Sequence, residues 1–199
     1  MHGQHLGTGQ HIVGSTLVVL CKDEKKFGNF DLATSLKHAW LEFKAWCKFR
    51  SISCSMGMFT PQRVQCGQKV GYAFLTTKAA NCRICIAWLA ELLGGMTVDA
   101  NSSPYLNGCQ NCVNAINACQ GIIDTRDMFM EPSEAALCVQ NGYTFLHWYS
   151  DLACDALARN RRLFKIVTKF HKLAHALDDL AISPLRAQGF TIVMAMRIS

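Results

Sequence analysis

The chain has 199 residues, half of them hydrophobic and only 17% charged, with a formal net charge of +6. That composition excludes a disordered chain and a histone-like polycation, and the length fits a single domain able to bury a sizeable core. Eleven cysteines, an odd number, and an N-terminus without a basic n-region argue against a secreted disulfide framework. The expectation is free thiols in a reducing, intracellular compartment, cytoplasmic or nuclear. The longest apolar run, residues 12–20, contains Gly14, Ser15 and Thr16 and is too short for a membrane span.

In chain order, residues 1–10 read as an irregular lead-in, and His11 to Cys21 as a short buried helix. The charged turn KDEKKFGN follows. A second helix starts at Asn29 or Asp31, either of which can cap it, and runs to about Arg50. Its seam, Leu36, Trp40, Phe43 and Cys47, has four, three, four spacing, with Lys37, Lys44 and Lys48 nearer solvent. Residues 51–73 are irregular, broken by Gly57, Pro61 and Gly67. A third helix runs from about Thr76 to Leu93 and stops at Gly94-Gly95, with Cys82, Cys85, Ile86, Leu89 and Leu93 on its apolar face.

After a polar connection, Asn107 to about Met128 forms the helix around which the chain is organised. Cys109, Cys112, Ile116, Cys119 and Ile123 make its seam, and Asn111, Asn114 and Asn117 face water. Glu131-Pro132 opens a long helix to about Asn160, with a bend expected at Asn141-Gly142. Cys138, Gly142, Phe145, Tyr149, Leu152 and Ala156 line its inner face. Arg161 to Val167 reads as extended, and Thr168 caps a last helix that reaches Ile182 before Pro184. The fold class is therefore all-α, an irregular bundle of five or six helices, with residues 1–183 as one domain and 184–199 as an irregular tail.

Two CxxC pairs, Cys82/Cys85 and Cys109/Cys112, come close to a four-cysteine zinc spacing, in which four thiolates would hold a tetrahedral ion. Against zinc, Cys82/Cys85 falls inside a helical pattern, and cysteine recurs on seams at Cys47, Cys119 and Cys138 outside any CxxC. Packing thiols are the preferred reading and no cofactor is expected. His171, His175 and Asp178 share a helical face and form a second metal candidate. Lys172 stands where a zinc protease needs glutamate, and two half-buried histidines are the preferred alternative.

Arg159, Arg161, Arg162, Lys165, Lys169 and Lys172 place six cations in fourteen residues with no acid among them. Such a run can bind phosphates, with Phe164, Phe170 and His171 as interleaved stackers; a solvated helix junction is the blander account. No nucleophile elbow, P-loop, dinucleotide fingerprint or kinase motif occurs, and no catalytic residue is nominated.

HGQHLGTGQHIVGSTLVVLC at residues 2–21 and LFKIVTKFHKLAHALDD at 163–179 resemble a large α-helical family multiplied in dinoflagellate genomes. FTPQRVQ at 59–65 and FLTTKAANCRICIAWLAELL at 74–93 sit where that family has a loop and then a lysine-alanine helix. The resemblance implies an origin in mobile elements and brings no activity, cofactor or catalytic residue. Family members carry proline where this chain has Thr168, and continue into a Trp- and acid-rich segment. From the departure after Pro184 the expectation is a truncated or mis-spliced C-terminus. The leading functional expectation is a non-catalytic helical interaction or structural module. The alternatives are a nucleic-acid-associated protein using residues 159–172, and a zinc-stabilised binding domain.

Overall fold

The computed structural model describes residues 7–66, 71–124 and 130–182. Among them are six helices: α1 (Gly9–Val18), α2 (Leu32–Phe49), α3 (Ala79–Gly94), α4 (Leu106–Asp124), α5 (Pro132–Ala158) and α6 (Thr168–Ile182). The fold is all-α, and a π-helical turn, Val19–Asp23, extends α1. No helix among the described residues is long and apolar enough to cross a membrane. The expected tail at 184–199 lies outside the described residues.

The helix starts follow from local chemistry. Asp31 caps α2, its Oδ1 accepting from the Thr34 backbone N–H at 2.9 Å and its Oδ2 from the Thr34 hydroxyl at 2.9 Å. Pro132 opens α5, where a missing N–H costs nothing, and the Glu131 N–H donates to Glu134 Oε2 at 3.2 Å. Thr168 is the first residue of α6 rather than its cap. Gly95 follows α3 with φ −86°, so the chain leaves that helix without a left-handed residue.

α4 is the hub, packed against α1, α3 and α5. Its register against α5 can be read from three contacts. Cys119 meets Cys138, the Cys112 thiol donates to the Phe145 carbonyl at 3.7 Å, and Gly108 faces Leu152. Moving back along α4 from Cys119 through Cys112 to Gly108 moves forward along α5 from Cys138 through Phe145 to Leu152, so the two run antiparallel. The next pair repeats the device, with Gly142 under Leu177 and Tyr149 4.2 Å from Phe170 between ring centroids. α3 and α4 are antiparallel too, because Arg83 pairs with Asp124 at one end and the Gln110 side chain caps Leu93 and Met96 carbonyls at the other. By contrast α2 and α3 run parallel, since Phe43 meets Trp88 and Trp46 meets Glu91.

The described residues between those parallel helices, 50–66 and 71–78, form the part least like a bundle. The irregular region extends to Lys78, so α3 begins at Ala79 rather than Thr76. Residues 71–78 are laid over α1. Leu75 N–H donates to Gln10 O at 2.9 Å, Ala73 N–H to Arg162 O at 3.0 Å, and Phe74 N–H to Val64 O at 2.9 Å. Gln10 Nε2 reaches Thr77 O at 2.7 Å. Gly14 makes this approach feasible, because a Cβ there would stand 2.6 Å from the Phe74 backbone nitrogen.

Covered in this way, α1 is buried at all ten positions, polar Gln10, His11, Ser15 and Thr16 included. Ser15 Oγ accepts from the Phe164 N–H at 2.8 Å, which satisfies one of them. Burial, with Lys165 and Lys169 nearby, lowers the His11 pKa to about 4, so the ring is neutral at pH 7.

At Asn141-Gly142, where a bend was expected, α5 is unbroken and runs as one helix through 27 residues. Gly142 is there for the neighbouring helix: a Cβ would lie 2.4 Å from a Leu177 methyl.

Candidate functional site

The four CxxC thiols sit inside the core. Cys82, Cys85, Cys109 and Cys112 are completely buried on α3 and α4. Burial raises the pKa of Cys82, Cys85 and Cys112 well above the ordinary thiol range, and that of Cys109 to about 12. Such thiols are protonated and poorly nucleophilic at neutral pH. They also have packing partners, as the Cys112 donation to Phe145 O shows. Among the described residues no three His, Cys, Asp or Glu side chains are arranged to hold a metal ion.

α6 brings His171 and His175 together, with 2.9 Å between their Nε2 atoms, a hydrogen-bond separation. His175 Nδ1 is 4.0 Å from Asp178 Oδ2, and the Tyr143 hydroxyl donates to Asp178 Oδ1. Both histidines are exposed, which corrects the half-buried expectation. The α6 seam is Phe170, Leu173, Ala176, Leu177 and Leu180, and it turns the HxxxH pair toward solvent.

The six cations of residues 159–172 divide into two groups. Arg161 is built into the fold: Nη2 contacts Asp23 Oδ1 at 3.2 Å and Oδ2 at 3.0 Å, and the guanidinium lies 5.4 Å from the Tyr105 ring centroid. The Lys169 chain packs over Gly7. Arg159, Arg162, Lys165 and Lys172 are exposed, with Lys165 5.8 Å from the half-exposed Tyr72 ring. Arg161 and Arg162 also line a cleft of about 440 Å³ with Lys22 and Asp23. Phe164 and Phe170 are not available as stackers. Both are core residues that pack on Tyr149, so the interleaved-aromatic reading is corrected.

Sequence reasoning missed one surface. An open groove of about 420 Å³ lies between the C-terminal halves of α2 and α3, with Trp46, Phe49, Trp88 and Leu92 supplying its apolar lining. Phe49 is 83% exposed. Glu91 fixes one wall, accepting from Trp46 Nε1 at 2.9 Å and Arg50 Nη2 at 2.7 Å, and these bonds hold its carboxyl below the usual range. The available signal was Trp46 and Phe49, two aromatics outside the Leu36-Trp40-Phe43-Cys47 seam.

Comparison with family models, with curated proteins and with solved structures returned no match.

Proposed function

We propose that this chain is a non-catalytic interaction module whose α2–α3 groove receives an apolar segment of a protein partner. The observation that carries the reading is Phe49, a large aromatic left in solvent beside Trp46 and Leu92 on a two-helix floor. Exposed aromatic clusters of this kind mark protein contacts, and an amphipathic helix laid into a groove is a recurring occupant. The eleven free thiols favour a reducing compartment. The family resemblance supports an origin of the module in mobile elements.

The test places a photo-crosslinking residue at exposed Ala45 and compares the parent with Phe49→Asp. The reading expects one protein adduct, mapped to an apolar segment and lost in Phe49→Asp while the helical circular dichroism is unchanged. No adduct through Ala45, or one indifferent to Phe49→Asp, would overturn it.

The exposed cations Arg159, Arg162, Lys165 and Lys172 favour a second reading, association with nucleic acid through backbone phosphates. Under it, retention on DNA or RNA falls steeply with salt, and Arg162→Glu with Lys165→Glu weakens binding of all sequences alike. Retention unchanged by that charge reversal removes it.

A further inference from the structure

We infer that Cys119 and Cys138 form an oxidisable dithiol whose disulfide ties α4 to α5. Their Sγ atoms lie 3.0 Å apart, about 1 Å beyond the length of a disulfide bond. Each is anchored in the antiparallel heptad register that also aligns Cys112 with Phe145, so bond formation asks for side-chain adjustment rather than a shift of either helix. Both are buried, away from the exposed Cys154 and the half-buried Cys54 and Cys66.

The Cys119 thiol also faces the Cys138 carbonyl at 3.8 Å, and across the pair either sulfur can donate to the other. The geometry singles out neither sulfur, and the reaction runs the same way from either one.

The oxidant class is a hydroperoxide. One of the two sulfurs, as thiolate, attacks one peroxide oxygen, the O–O bond breaks, the departing oxygen takes a proton as alcohol or water, and that cysteine becomes a sulfenic acid. The other sulfur then attacks it, the S–O bond breaks, and hydroxide leaves with the second thiol's proton as water. Two thiols have lost two electrons to the peroxide, and a small dithiol reductant reverses the step by thiol–disulfide exchange.

The experiment uses the full chain with Cys54, Cys66 and Cys154 changed to Ser, so that accessible thiols cannot crosslink molecules. The folded protein is treated with hydrogen peroxide, remaining thiols are alkylated, and peptides are mapped by mass spectrometry. The expected product joins the Cys119 and Cys138 peptides, is removed by dithiothreitol, and raises the thermal midpoint. Cys138→Ser should abolish both the crosslink and the shift. Cys119→Ser should abolish both as well, and dimedone should trap the sulfenic acid left on the remaining cysteine in one or both variants. The inference is overturned if both cysteines are recovered alkylated after peroxide, or if the crosslinks formed involve other partners. Mapping of the parent chain decides the matter even where a serine variant fails to fold.

Discussion

Replacing Gly14 by Ala probes the one place where extended backbone lies directly on a helix. An ideal Cβ at Gly14 would sit 2.6 Å from Phe74 N and 2.7 Å from Leu75 N. Carbon normally approaches other heavy atoms to about 3.5–4.0 Å, so the overlap is close to 1 Å. It falls on backbone, which has no rotamer to move. Displacing that backbone stretches the Leu75–Gln10 and Phe74–Val64 hydrogen bonds, each worth about 1 kcal/mol. Overpacking costs about 1–3 kcal/mol, and alanine's better helix propensity returns about 1 kcal/mol. The expected net loss is about 2–3 kcal/mol, or roughly 5–10 °C in thermal midpoint for a chain of this size. The control is Gly121→Ala in α4, where no atom lies within 4 Å of the added carbon. That variant should gain about 0.5–1 kcal/mol. Urea unfolding of both variants supplies the comparison. If Gly14→Ala proves neutral, or as stabilising as Gly121→Ala, residues 71–78 do not lie across α1.

Other perturbations follow from the same geometry. Asp31→Ala removes the α2 cap and should lower the urea midpoint, with Asp31→Ser recovering most of the loss. Gly142→Ala meets Leu177 methyls rather than backbone, so pairing it with Leu177→Ala should restore part of the stability each loses alone. His11 is harder to protonate in the fold, at about 4, than in the free chain, at 6.5. Its contribution is therefore complete above pH 6.5 and fades as pH falls toward 4, by up to about 3 kcal/mol at 1.36 kcal/mol per unit. Comparing unfolding at pH 7 and 4.5, the parent should lose about 2–3 kcal/mol more than His11→Gln. An equal loss in both would place His11 in water.

Helical periodicity made the bundle legible. The seams of α2 through α5 were readable because each long helix buries its predicted stripe: Cys109, Cys112, Ile116, Cys119 and Ile123 are all buried, as are Cys138, Phe145 and Tyr149. α4 exceeded its narrow seam, since Val113, Ala115 and Gln120 are buried as well. A hub helix packed against three neighbours has more than one inner face, and its Asn side narrows accordingly: Asn114 is exposed while Asn111 and Asn117 are half-buried.

Long-range pairings were not legible. Arg161 reads as one cation in a run of six, and only the fold supplies Asp23, 138 residues away, and the Tyr105 face. Phe164 looked available to a base because its segment is irregular. A left-handed residue (φ 52°) bonded to Ser15 instead turns its ring inward. The α2–α3 groove needed a parallel helix pairing across an irregular connection, which no local pattern encodes.

Native-state thiol labelling tests the central claim, that the seam cysteines pack the core rather than bind a ligand. The reduced, folded chain is exposed to a maleimide with and without a strong zinc chelator, and labelled sites are mapped. Three thiols, Cys54, Cys66 and Cys154, should label in the native state, and the eight buried ones only after denaturant, with the chelator making no difference. Rapid native labelling of Cys82, Cys85, Cys109 and Cys112, or protection of those four that the chelator removes, would contradict the account.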